Sequence, residues 1–102
     1  MEITYYTKMT EEASSVKAEF GIKIPEWNFI LNRLKLIRSK NGGFFVTAPS
    51  MKKDEKYEPY WDFSDPEIKR RFFDAALKVV ETHIANLNAG NIPEKVAEEF
   101  MF

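Results

Sequence analysis

WNFILNRLKLIR, Trp27 to Arg38, followed by Asn41-Gly42-Gly43 and then Phe44-Phe45-Val46-Thr47, decides how the chain folds. The apolar residues of the first part, Phe29, Ile30, Leu31, Leu34, Leu36 and Ile37, fit a helix about as well as a strand. The residues from Asn41 to Thr47 settle the choice. Asn41-Gly42-Gly43 is a hairpin signal, because Asn and Gly tolerate the positive φ that tight turns require. Phe44 to Thr47 is rich in β-formers. A strand that enters this turn pairs antiparallel with the one that leaves it.

Outward from this hairpin, Val16, Ala18, Phe20, Ile22 and Ile24 alternate with Lys17, Glu19 and Lys23, the period-2 pattern of a half-buried strand that Pro25 ends or bends. Ile3 and Tyr5 alternate over a shorter first strand. Thr10 to Ser15 is a polar turn. Pro49 to Lys56 (PSMKKDEK) reads as a basic loop, and Tyr57 to Phe63 (YEPYWDF), broken by Pro59, as at most a short edge strand. A helix is predicted over 64–87. Ser64 or Asp65 caps it, Pro66 suits its first turn, and Ser64 with Glu67 has capping-box spacing. Ile68, Phe72, Ala76, Val79, His83 and Leu87 form its apolar stripe, widened by Ala75, Val80 and Ile84. Asn88 to Asn91 ends it, and a short tail helix is predicted over 92–102, with Ile92, Val96 and Phe100 on one side. The expected fold is α+β: an antiparallel sheet of four to five strands over 1–63, one long C-terminal helix and a short tail helix, in a single domain spanning 1–102.

The chain has 102 residues and no Cys, which excludes disulfides, thiol nucleophiles and Cys-based metal sites. No apolar run approaches the roughly 20 residues that span a bilayer, and MEITYYTKMTEE lacks the pattern of a signal peptide. The expectation is a soluble, cytoplasmic protein without a membrane partner. The net charge of −1 argues against a uniformly basic surface, but the charge is uneven. Residues 32–56 carry Arg33, Lys35, Arg38, Lys40, Lys52, Lys53 and Lys56 against only Asp54 and Glu55, a local +5, while the segments 1–31, 57–81 and 82–102 each carry −2. Such a block is either a polyanion-facing surface or a solvated strand face. With regular pairing, Arg33 and Lys35 share one face, and Arg38 and Lys40 the other.

Lys69, Arg70 and Arg71 fall in the first turns of the helix, where cations oppose the helix dipole. They either contact phosphate or pair with Asp65, Glu67 or Asp74. Tyr57, Tyr60, Trp61 and Phe63 either stack on bases or pack over the end of the sheet. His83, the lone imidazole, sits on the apolar stripe and reads as a packing residue. Asp62 and Asp65 read as turn and cap residues. No nucleophile, metal-ligand cluster or phosphate-cradling loop is recognisable, so no catalytic residue, metal or cofactor is expected, and an enzyme is the weakest class.

Gly43-Phe44-Phe45-Val46, with Pro49-Ser50 and the lysine pair after it, resembles the signature of the SpoVG family (stage V sporulation protein G, the septation regulators). The likeness runs from about Val16 to His83 and is densest over Leu34-Lys35-Leu36-Ile37 and Asn41 to Ser50. Asp62 to Arg71 corresponds to the family's Asp- and Pro-containing segment and helix start. The resemblance implies a small homodimeric, non-catalytic regulator of bacterial gene expression that binds DNA or RNA. By position it assigns binding to Lys52 and Lys53, and with them Lys69, Arg70 and Arg71. The loop acids Asp54 and Glu55 and the acidic, apolar residues 88–102 depart from the family pattern. The alternative is a protein-interaction or adaptor module of a bacterial or mobile-element system, using a sheet edge or the apolar tail.

Overall fold

A computed structural model describes residues 1–10 and 14–90. It shows an α+β architecture: a four-stranded antiparallel sheet, a separate two-stranded sheet and one long helix. The sheet has strands β1 (Glu2–Lys8), β2 (Val16–Ile24), β3 (Phe29–Arg38) and β4 (Phe44–Thr47), hydrogen-bonded in chain order. The tail helix expected over 92–102 lies outside the described residues.

Pro25 ends β2 and opens a single 3-10 turn, Pro25–Trp27, closed by Asn28 at φ 51°. The Asn-Gly-Gly hairpin forms as read. Ser39 N–H bonds the Gly43 carbonyl at 2.7 Å, and Gly42 alone takes the left-handed backbone, at φ 94°.

Where the sequence reads a basic loop, the structure has a second hairpin: β5 (Ser50–Lys53) and β6 (Lys56–Pro59). Its two-residue turn is Asp54-Glu55, with φ values of 49° and 68°. Positive φ at both central residues suits the right-handed twist of a tight hairpin. Glu carries no signal for that conformation, and neither strand is buried enough to alternate, so the sequence hides the element. Two strands alone are marginal in water. The bond from Tyr60 N–H to the Pro49 carbonyl, 2.9 Å, helps tie the base of this hairpin.

The core lies between one sheet face and the helix α1 (Pro66–Asn88). Ala18, Phe20, Ile22, Leu34, Ala76 and Val80 are fully buried there, with Leu31, Leu36 and Val46 close behind. The Asp65 side chain, rather than Ser64, caps α1 by accepting from the N–H groups of Glu67 (2.9 Å) and Ile68 (3.4 Å). The buried stripe keeps Phe72, Ala76, Val80 and Ile84 of the expected one and gains Phe73 and Leu77. Phe73, Leu77 and Ile84 pack beside Ala76 and Val80, whereas Ile68 is half exposed. Trp61, Phe63, Phe72 and Phe73 form an aromatic cluster at the start of α1, with Trp61 stacked on Phe73 at 6.1 Å.

Irregularities in the ladders fix which side chains face the helix. Phe20 pairs with Leu34 and Ile22 with Leu31, so β3 has one residue more than β2 over this interval. A bulge centred on Arg33, at φ 62°, absorbs it. Leu31 and Leu34 therefore reach the same core although regular alternation would send them to opposite faces. A second shift, between Val16 and Ala18, pairs Val16 with the outward-facing Ile37, so Val16 leaves the core face on which the alternation placed it.

Beside the Arg33 bulge, Gly21 pairs with Tyr5. A Cβ on Gly21 would lie 2.5 Å from Thr4 Oγ1 and 2.7 Å from Tyr5 Cε1. The absent side chain leaves room for the Tyr5 ring, only 4% exposed on the face away from the helix. The Tyr5 hydroxyl accepts from the Arg33 N–H at 2.7 Å and donates to the Glu19 carboxylate at 3.3 Å. Burial, offset in part by the Arg33 N–H, pushes the Tyr5 phenol above its ordinary pKa.

Two outcomes are expected. Gly21→Ala should destabilise the fold by about 1–3 kcal/mol through overpacking, and Tyr5→Phe by a similar amount, because the Arg33 N–H loses its partner; urea denaturation reads both. On α1, His83 contacts Tyr6 at 5.5 Å between ring centres, and burial lowers its pKa. A depressed basic pKa means that the unfolded chain binds the proton better. The stability from neutral His83 is present above about pH 6.5 and lost as pH falls toward the lower folded-state pKa. His83→Gln should remove this acid-side loss from thermal-melt profiles, leaving the separate carboxylate-dependent loss below about pH 4.

Candidate nucleic-acid interface

The ten cations singled out from the sequence do not form one stripe. Lys35 lies on the sheet face away from the helix, directly opposite Glu19 across the ladder. Arg38, three residues on, lies on the helix side, in a cleft with Tyr6 and Ile84. Arg33 is held in the bulge toward the other end of β3, and Lys40 sits in the turn after it. The bulge does not reunite them: it lies before Lys35, so regular alternation still separates Lys35 from Arg38.

At the start of α1 the cations are neutralised. Lys69 Nζ lies 2.9 Å from Asp62, Arg70 bonds Glu67 at 2.6 Å and Asp74 at 3.2 Å, and Arg71 reaches Glu67 at 3.3 Å. The Lys69 hydrogen bond, then the Phe63 N–H, hold the Asp62 carboxyl below its usual pKa. Glu67 and Asp74 also offset the cost of placing cations at the positive end of the helix. Asp65, by contrast, is used as the cap.

Lys52, Lys53 and Lys56 differ. All three are exposed on the second hairpin, and no ion pair engages them among the described residues. Register assigns their faces. Lys53 stands directly opposite Lys56, on the side of Met51 and Glu58, while Lys52 stands opposite Tyr57, on the side of Ser50 and Pro59. Like charges opposite one another are unfavourable in isolation, and an anion bound between them relieves that repulsion. Asp54 and Glu55 sit apart, at the tip.

Ser50, Tyr57 and Pro59 also line a cleft of about 610 Å³ beneath the hairpin, which Val16, Ile37 and Lys35 bound from the sheet and Lys69 and Phe73 from α1. Within the aromatic segment the two readings divide by residue. Trp61 and Phe63 belong to the packed cluster, whereas Tyr57 and Tyr60 are 71% and 64% exposed. The hairpin thus carries Lys52 with the exposed Tyr57 on one face and Lys53 with Lys56 on the other, next to a cleft of mixed lining and the exposed Tyr60. The clue in the sequence is the Lys-Lys-Asp-Glu-Lys-Tyr run, which becomes a motif only when Asp54-Glu55 is read as a turn.

Among the described residues there is no cluster of His, Asp and Glu able to hold a metal ion, and no helix is long and apolar enough to cross a membrane. No family model matches the chain, and no curated protein matches it.

Proposed function

We propose that the chain is a small, non-catalytic nucleic-acid-binding regulator, similar to the SpoVG family, that grips single-stranded DNA or RNA with its second hairpin and acts as a homodimer in the cytoplasm. The observation that carries this reading is an exposed two-stranded ladder with Lys52 and Tyr57 opposite each other on one face and Lys53 and Lys56 opposite each other on the other. Ammonium groups draw in the phosphates and release counterions, while an exposed ring offers a stacking surface to any base. Without a motif that reads base edges, binding is expected to be weakly sequence-selective. The cations at the helix start are spent on Glu67, Asp74 and Asp62, so Lys69, Arg70 and Arg71 are secondary to the hairpin lysines.

A second reading, a protein-interaction module, rests on a different place. Trp27, Phe29 and Ile30, at the turn that begins β3, are 73%, 48% and 38% exposed, so this end of the sheet offers apolar side chains to a partner.

Fluorescence polarisation with labelled single-stranded oligonucleotides discriminates the two. Three phosphate contacts predict a log–log salt slope of about −2, a weakening of about 20-fold between about 50 and 200 mM salt. Lys52→Ala with Lys53→Ala should flatten that slope by about 1.4. Tyr57→Ala should weaken binding by about 1–3 kcal/mol with the slope unchanged. Absent or salt-independent binding overturns the proposal and leaves the Trp27 patch as the functional surface.

A further inference from the structure

The hairpin face that carries Lys52 and Tyr57 is continuous with the cleft of about 610 Å³ beneath it. Register puts Ser50, Lys52, Tyr57 and Pro59 on that face, and all but Lys52 line the cleft. Tyr57 therefore belongs to both surfaces: it is 71% exposed and still forms part of the cleft wall. Val16 and Ile37 from the sheet and Phe73 from α1 extend the apolar wall. The volume lies within the roughly 300–1,000 Å³ of ordinary small-molecule sites and gives room for one nucleotide. Lys35 lines the cleft from β3 and makes no ion pair among the described residues. Asp62 and Lys69 line it as a pair, 2.9 Å apart. That pair engages a single carboxylate oxygen. Lys69 Nζ and the Phe63 N–H both meet Asp62 Oδ1, which leaves Oδ2 without a hydrogen bond among the described residues. An ionised carboxylate accepts and cannot donate. The cleft thus offers an ammonium group to a phosphate and an open acceptor to an N–H group.

Resting on the nucleic-acid reading above, we propose that one unpaired nucleotide of the bound strand turns into this cleft, its base against Tyr57 with an amino group toward Asp62 Oδ2 and its phosphate at Lys35. Cytosine, adenine and guanine carry such an amino group. Uracil and thymine offer instead one ring N–H flanked by two carbonyl oxygens, whose lone pairs face the carboxylate unfavourably. The cleft prefers amino-bearing bases for this reason. The preference is mild, because it rests on one hydrogen bond and the Asp62 and Lys69 side chains are 49% and 46% exposed. Stacking on Tyr57 is indifferent to base identity, so the hairpin supplies the grip and Asp62 the bias.

Single-stranded hexamers of deoxycytidylate, of thymidylate and of abasic deoxyribose phosphate carry the same charge and differ only in their bases. In the nitrogen-15-labelled protein, the abasic hexamer should shift the amide resonances of Lys52 to Lys56 and leave the cleft unmoved. The deoxycytidylate hexamer should shift these and also Lys35, Ile37, Thr47 and Phe73. By fluorescence polarisation it should bind about 3- to 10-fold more tightly than the thymidylate hexamer. Asp62→Asn, whose amide both donates and accepts, should bring the two hexamers to equal affinity, while Lys69, freed from its partner, tightens both alike. Lys35→Ala should flatten the log–log salt slope for deoxycytidylate by about 0.7. Both positions lie outside the core and Asp65 remains the cap of α1, so both variants keep the fold. Free deoxycytidine monophosphate should move the cleft amides only at far higher concentration than the hexamer. Hairpin shifts without cleft shifts, equal affinity for the two hexamers, or a preference that survives Asp62→Asn overturns the proposal and leaves the hairpin interface standing. Saturation of the cleft by the free monophosphate at hexamer concentrations also overturns it and assigns the cleft to a soluble nucleotide. Absence of every shift overturns it together with the nucleic-acid reading.

Discussion

The missing side chain of Gly21 is the constraint around which the sheet is organised. Two residues of β1 crowd the space a Cβ would fill: Thr4, the extra residue where the Tyr5 register shifts, and Tyr5 itself. With Gly21 open, the Tyr5 ring crosses β2, and its hydroxyl meets the backbone of β3, at Arg33. One phenol therefore joins three neighbouring strands. It also satisfies the N–H of a residue whose positive φ takes it out of the regular ladder. An unsatisfied N–H there costs about 1–3 kcal/mol, and a non-glycine residue in the left-handed region about 1–2 kcal/mol. The strain of the bulge persists because the Tyr5 contact and the core leucines on either side define it from both directions.

That bulge governs both the core and the distribution of charge. It lets Leu31 and Leu34, three residues apart, enter one core with Leu36, and so seats β3 under α1. Downstream of it, alternation sends Lys35 to the face where Glu19 waits and Arg38 to the cleft beside α1. The basic block of the sequence thus divides into three environments: a sheet face where Lys35 stands opposite Glu19, a cleft at the helix end that Arg38 lines, and the lysines of the second hairpin. Only the last combines exposed lysines with an exposed aromatic ring on the same element, which is why the proposed interface lies there rather than on β3.

Much of the fold was legible because its signals are local. Asn41-Gly42-Gly43 specified a hairpin through the backbone freedom of glycine at position 42, and Asp65-Pro66 specified a helix start through one carboxylate and one locked φ. The ambiguity of Trp27 to Arg38 had a physical origin. The spacing from Leu31 to Leu34 imitates a helix because a bulge removes one residue from the strand's alternation. The second hairpin escaped notice for the opposite reason: its strands are exposed on both faces, and its turn uses Asp54-Glu55 rather than glycine. The aromatic segment divided at Trp61, whose ring finds Phe72 and Phe73 across a loop. No pattern within Tyr57 to Phe63 marks that point.

The amino-acid sequence by itself determined the α+β class, the first hairpin, the limits of the helix to within a residue or two, and the concentration of cations at 32–56. These features arise from turn chemistry, capping and hydrophobic period, each of which acts over a few neighbouring residues. Only the tertiary structure decided which of those cations stand together and which are already neutralised. That depends on the Arg33 bulge, the register of β5 with β6, and the reach of Glu67, Asp74 and Asp62 across helix turns and loop. Each is a relation between residues whose positions are set by the packed whole, and a one-residue slip in register would have exchanged every face.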